Sequence, residues 1–258
     1  MALFTDGPVS SIEDLTGQDS QLLEVANAEG IDVTRKLALA QDELAVELGT
    51  LLTRLSSLEQ PFWYSASLSL ASVVVTPALK LWHTFRALEM VYRDAYNSQL
   101  NDRYAGKRDQ FHEMAGWARE KLIQTGIGIA SDPVPQAATP DVVMAQGPGG
   151  TPLADGTYYV TMAWVNGAGE EGGCAVPAAI PLMGGTLLVR PGQAPQTARG
   201  WNVYVGAAPD AIARQNGSPI AVGQNWVQPN TLNTAGRPPG SGQSPSYARP
   251  VPRAIQRG

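Results

Sequence analysis

Gly156-Thr157-Tyr158-Tyr159-Val160-Thr161-Met162-Ala163-Trp164-Val165 is the stretch whose reading divides the chain. Its hydrophobic period is two: Tyr158, Val160, Met162 and Trp164 alternate with Tyr159, Thr161, Ala163 and Val165, and both rows suit a strand covered on each face. Asn166-Gly167 then supplies a hairpin-type turn. Further short strands are expected at Cys174 to Ile180, Thr186 to Val189, Gly200 to Val205, Pro219 to Gly223 and Gln224 to Val227, with turn residues between them. That rhythm predicts a small β-sandwich over residues 153–236, with Trp201, Tyr204 and Trp226 in its core.

Upstream the material changes. Residues 1–132 hold 11 Lys and Arg against 18 Asp and Glu, whereas residues 133–258 hold 7 against 5. Beyond Lys121, the last lysine, the chain fills with Gly, Pro, Thr and Val, which favour turns and strands over helix. Ser10-Ser11-Ile12-Glu13 fits a capping box, and Gln18 to Ala28 fits a short helix ended by Gly30. Asp32 caps a stronger helix in which Leu37, Leu44, Leu48, Leu51, Leu55 and Leu58 recur at helical spacing.

Pro61-Phe62-Trp63-Tyr64 breaks that helix, and Ser65 to Val75 reads as extended or irregular. Thr76-Pro77 restarts helix with an N-cap and a proline at the first position. Leu79, Trp82, Phe85, Leu88, Tyr92 and Tyr96 follow on one face. After a break at Asn101-Asp102, a last helix carries Tyr104, Phe111, Ala115, Ala118 and Leu122 to Gly126. The expected class is therefore α+β in separate domains: an N-terminal helical bundle (1–135), a linker (136–152), the sandwich (153–236) and an extended Pro/Arg-rich tail (237–258). The tail has four arginines and no acid, and cannot form a core of its own.

The net charge of −5 argues against a protein that grips nucleic acid through a basic face. Cys174 is the single cysteine, so no intrachain disulfide framework exists. Met1 to Asp6 lacks the basic and apolar regions of a signal peptide, and no run of 18 apolar residues occurs, so the expectation is cytoplasmic synthesis and no membrane contact.

Catalytic signatures are missing. His83, His112 and Cys174 are too scattered for a Cys/His metal site, and His83 beside Trp82 reads as a core-edge or interface histidine. Gly147-Pro148-Gly149-Gly150-Thr151 lacks the lysine, strand and helix of a phosphate loop, and Gly126-x-Gly128 lacks the third glycine of a dinucleotide fingerprint. No Gly-x-Ser-x-Gly elbow occurs. No enzyme, cofactor or metal is expected. Glu170-Glu171 invites a cation, although exposed loop acids are usually just solvated. Arg103 with Lys107, and Asp109 with Glu113, are like-charged at i, i+4, and Arg108 lies among them; such a face suits either solvent or a neighbouring chain.

Leu81 to Pro135 resembles the helical head-tail adaptor proteins of tailed bacteriophages. The resemblance is carried by Tyr92-Arg93-Asp94-Ala95-Tyr96, by Asn101-Asp102-Arg103-Tyr104 with Lys107, Phe111 and Ala115, and by Gly126-Ile127-Gly128-Ile129 and Asp132-Pro133-Val134-Pro135. Asp155-Gly156-Thr157-Tyr158-Tyr159-Val160 and Gly200-Trp201-Asn202-Val203-Tyr204-Val205-Gly206 resemble immunoglobulin-like or fibronectin-like modules of phage structural proteins. The resemblance implies a virion neck protein, assembled in the host cytoplasm, that forms a ring below the portal, dodecameric in the usual case. The ring contacts the portal and a stopper or tail-side neck protein, and lines a channel through which DNA passes without specific binding.

The subunit and portal interface is then expected at Trp82, Phe85, Tyr92, Tyr96, Arg103, Tyr104, Lys107, Arg108 and Phe111. The tail is expected to strap onto a neighbour through Arg237, Arg249, Arg253 and Arg257. The alternative is another virion component, a tail, baseplate or decoration protein whose β-domain binds capsid or host glycan through Trp201, Tyr204 and Trp226.

Overall fold

A computed structural model describes residues 1–56, 68–99, 102–145, 152–229 and 231–249. Leu58, Pro61-Phe62-Trp63-Tyr64, the first residues of the Ser65 to Val75 stretch, Asn101, Gly147 to Thr151, Pro250, Pro252, Arg253 and Arg257 lie outside the described residues. Helices fill the N-terminal half and antiparallel sheets the C-terminal half, a mixed α+β chain.

The chain divides into two compact units, and the division differs from the expected linear one. One unit joins Met1–Asp6 to Asp132–Ser244, and the other joins Gly7–Ser131 to the residues from Pro245 onward. Both termini thus leave the half in which sequence order would put them. The N-terminal segment is tied by the Met1 ammonium, which donates to the Gln243 carbonyl at 3.0 Å, and by Asp6 Oδ1, which accepts from Gln136 N–H at 2.7 Å.

In the helical unit, α1 (Ile12–Gln18) and α2 (Leu22–Ala28) are short, and α3 (Val33–Ser56), α4 (Pro77–Gln99) and α5 (Ala105–Thr125) are long. The capping box sits one residue later than expected: Ser11 Oγ accepts from Asp14 N–H and Asp14 Oδ2 accepts from Ser11 N–H. Ser10 is instead buried against Thr84 and His83. Gln18 to Ala28 is two helices, because Asp19 Oδ1 accepts from Gln21 N–H and holds the chain in a turn.

Asp32 caps α3 by accepting from Arg35 N–H, and Thr76 Oγ1 accepts from Leu79 N–H ahead of α4. Leu37, Leu44, Leu48, Leu51 and Leu55 on α3, and Leu79, Trp82, Phe85, Leu88 and Tyr92 on α4, are all buried. Each apolar side chain so buried contributes about 1.5–3 kcal/mol. Within the stretch read as irregular, Leu70–Ser72 forms a 3-10 turn.

Gly126, at φ 101°, ends α5 in a conformation that favours glycine. β1 (Ile127–Ile129) follows and pairs antiparallel with β10 (Ser246–Ala248), so part of the tail is strand rather than free chain. β10 needs no core of its own, since it borrows a partner strand.

The β unit has a three-stranded sheet, β2 (Asp141–Ala145), β5 (Thr186–Arg190) and β9 (Trp226–Val227) in the order β2-β5-β9. A five-stranded sheet runs β4-β3-β6-β7, from β3 (Gly156–Val165), β4 (Ala178–Leu182), β6 (Gly200–Gly206) and β7 (Ala213–Arg214), with β8 (Ile220–Ala221) also on β6. Val160, Met162 and Trp164 of β3, Leu187 and Val189 of β5, Trp201, Val203 and Val205 of β6, and Trp226 share one core.

Two expectations are corrected here. The 136–152 linker contains β2, paired in register from Asp141↔Arg190 to Ala145↔Thr186, because Val142-Val143-Met144 is a β-prone apolar run despite its Pro and Gly flanks. The strand read at Cys174 to Ile180 begins only at Ala178; Pro177 has no N–H to give a ladder.

Gly206 tests the close packing of this unit. A Cβ there would lie 2.3 Å from the Ala211 carbonyl oxygen and 2.8 Å from Ile212 Cα, and backbone cannot step aside as a side-chain end can. Gly206→Ala is expected to cost about 2 kcal/mol in urea denaturation.

Candidate functional site

The helical unit holds most of the residues on which function was expected to rest. Trp82, Phe85, Tyr92, Tyr104 and Phe111 are buried inside it, Tyr96 is half-buried, and none of the first five offers a face to another chain. Tyr92 stacks on Phe111 at 5.6 Å between ring centroids, with Tyr104 tilted at 6.2 Å. An apolar stripe on α4 needs cover, and α3 and α5 of the same chain provide it.

The basic residues edge this cluster. Lys107 Nζ donates to Asp19 Oδ2 at 2.9 Å and lies 5.6 Å from the Phe111 centroid; Arg108 lies 4.3 Å over Tyr96 and bonds Asp109; Arg103 lies over Tyr104. The like-charge spacing of Arg103 and Lys107 is resolved because Lys107 turns to Asp19. Asp19 also accepts from the Tyr92 hydroxyl at 2.6 Å. The sequence offered only one signal for its role, an acid between two short helical stretches.

Beside the cluster, a cavity of about 300 Å³ opens between α3, α4 and α5. Leu44, Trp82 and Ala115 line it together with Arg86, Glu89 and Arg119. Arg86 Nε donates to Glu43 Oε2 at 2.8 Å and its NH1 to Glu89 Oε2 at 2.5 Å, while His112 Nδ1 meets Glu89 Oε1 at 3.1 Å and Arg119 binds Glu47. Burial works against the Arg86 charge, yet the bonds to Glu89 and Glu43 outweigh it and raise its pKa. These ion pairs link α3, α4 and α5.

His83 is fully buried. The Leu37 carbonyl can only accept, so Nε2 carries the proton at 3.0 Å, and Nδ1 accepts from the Ser10 hydroxyl at 2.9 Å. Burial lowers the His83 pKa from 6.5, against the opposing bond to Leu37 and the Asp14 charge. The unfolded chain therefore binds the proton first, and stability falls as pH drops below about 6.5. His83→Gln is expected to flatten the urea midpoint between pH 7 and 5 relative to wild type.

In the β unit, Glu171 is buried, Glu170 is half-buried, and both are hydrogen-bonded. Glu170 Oε2 accepts from Asn166 and Gln243 side-chain amides, and Glu171 Oε1 accepts from Asn202, from the Tyr204 hydroxyl at 2.7 Å and from Arg237 at 2.5 Å. Arg237, expected to strap onto a neighbour, is captured by its own chain, and Arg249 donates to the Thr125 carbonyl at the end of α5. Among the described residues there is no group of three His, Cys, Asp or Glu arranged to hold a metal ion. Nor is any described helix long and apolar enough to cross a membrane.

What the helical unit does present outward is apolar in places. Val46 on α3 is 73% exposed and Trp117 on α5 is 50% exposed, with Leu39 also outward on α3. Comparison of the chain with known families, characterised proteins and solved structures finds no match.

Proposed function

We propose that this chain is a structural virion protein, a head-tail connector adaptor that forms a ring below the portal and lines the DNA exit channel. In this reading the helical unit is the docking domain and the two sheets of the β unit form an immunoglobulin-like sandwich. The observation that carries it is the pairing of long helices, internally neutralised, with large apolar side chains on their solvent faces: Trp117 and Val46. Exposed side chains of this kind are what a ring interface would use as anchors. The acid excess of residues 1–132 suits a wall past which DNA slides without being held.

In this reading Leu39, Val46 and Trp117 contribute to the ring contact. The glycan-binding alternative is weaker because Trp201, Tyr204 and Trp226 are buried and give no stacking platform.

Imaging of intact particles carrying a labelled copy of the chain tests the reading. A ring of label at the neck is the expected result; label on fibres or scattered over the capsid overturns it. In solution, Trp117→Asp is expected to weaken self-association of the full chain roughly thirtyfold, the effect of losing one anchor of about 2 kcal/mol. Sedimentation velocity over a concentration series measures it.

A further inference from the structure

The strands of the β unit end in edges of unequal kind. β4 carries Pro181, which has no N–H to offer a further strand, and β7, β8 and β9 are two residues each. β2 is different. It is five residues long, contains no proline or basic residue, and is hydrogen-bonded only on the side of β5 among the described residues. Its one charge, Asp141, is at the first position and faces Arg190 at 3.5 Å.

The side chains on this edge are also those of a surface made to be covered. Val143 is 38% and Met144 40% exposed. Val143 lies opposite Leu188, and Leu188 opposite Val227, so one face of the sheet carries an apolar row three strands wide. An apolar edge with no second ladder partner among the described residues, and with such a row beside it, is a template for strand addition.

We propose that β2 pairs antiparallel with β2 of a second copy of this chain, centred on Val143. In that register Asp141 faces Ala145, Val142 faces Met144 and Val143 faces Val143, so every central pair is apolar and no like charges oppose. A parallel pairing would set Asp141 beside Asp141. The antiparallel pair turns two three-stranded sheets into one of six strands, and the row Val227, Leu188, Val143 runs on into its twofold copy. The contact is isologous and closed, so it ends at two copies and leaves no further β2 edge. It uses the β unit alone and stands whether or not the helical unit builds a ring.

The test uses the full chain with Cys174→Ser, so that introduced cysteines are the only thiols. Val143→Cys places two thiols directly opposite across the proposed pair, within the roughly 4.5–5.5 Å that cross-strand Cβ atoms span. Mild oxidation is expected to convert most of it to a disulfide-linked dimer on a non-reducing gel. Val227→Cys, on the far strand of each sheet, is the collision control and is expected to cross-link at least tenfold more slowly. Val143→Lys and Val143→Glu are each expected to weaken the contact at least tenfold, and an equimolar mixture to restore it as a mixed dimer in native mass spectrometry.

Equal cross-linking of the Val143→Cys and Val227→Cys proteins, or association unmoved by Val143→Lys and unrestored by mixing, would overturn the proposal. A partner other than this chain gives that same result and counts against it. Trp117→Asp separates the two readings: loss of the ring contact changes the large assembly and leaves the Val143 cross-link in place.

Discussion

Glu171→Ala is expected to destabilise the β unit by about 3 kcal/mol, the cost of leaving two buried donors without their acceptor. The carboxylate is buried, and its Oε1 serves the Asn202 amide, the Tyr204 hydroxyl and the Arg237 guanidinium together. Asn202 and Tyr204 are buried on β6, so without Glu171 their donors face no acceptor and no water. Burial first, then the bond to Glu171, raises the Tyr204 pKa, which keeps the phenol a donor. Glu171→Gln keeps one oxygen and is expected to lose less. Arg237→Ala is expected to lose less, about 1 kcal/mol, because the pair lies at a half-exposed arginine and the carboxylate it leaves behind still accepts from Asn202 and Tyr204. Urea midpoints at constant m-value give the ranking. Equal losses for Glu171→Ala and Arg237→Ala would mean that the ion pair alone, and not the three-donor acceptor, holds the site.

That ranking also decides what the C-terminal segment does. Arg237 and Ser241, which bridges Gly173, tie this segment to its own β unit. A strap to a neighbouring subunit would have to break these bonds first.

Periodicity made the faces of the fold legible and left their partners open. Leu37 to Leu55 and Leu79 to Tyr92 read correctly as apolar stripes, because a 3.6-residue repeat reports which side of a helix avoids water. It does not report whose side chains cover that stripe. Trp82, Phe85, Tyr92, Tyr104 and Phe111 therefore read as an intersubunit face, although α3 and α5 of the same chain bury them. Trp117 went unnoticed for the complementary reason: it lies off the stripe, and single apolar residues on a polar face carry no period. β2 was lost to its flanks, since Pro140 and Gly147 outweighed three apolar residues. The pairing of β10 with β1 spans more than a hundred residues, and no local pattern in Ser246-Tyr247-Ala248 announces it.

Asp19 is a polar position where the helical unit should respond strongly to one substitution. Its carboxylate is the acceptor for the buried Tyr92 hydroxyl and for Lys107, and Asp19→Ala is expected to cost about 3 kcal/mol: an unpaired buried phenol plus a lost charge-assisted bond. Lys107 contributes the smaller share, because its side chain is 40% exposed and can turn to water. Acid adds a signature that packing loss would not. Burial pushes the Asp19 pKa up, but the bonds from Tyr92, Lys107 and Gln21 N–H outweigh it and hold the pKa below 3.8. The unfolded chain then takes up the proton first as pH falls, so this stabilisation is complete above roughly pH 4–5 and disappears as pH drops through the lower folded value. Asp19→Asn should already lack most of it at pH 7, so the gap between wild type and Asp19→Asn is expected to narrow from pH 6 to pH 3. Urea midpoints for both proteins across that range measure the gap. A gap that stays constant to pH 3 would show that the Asp19 pKa is the same folded and unfolded, and that its bonds to Tyr92 and Lys107 do not favour the ionised form.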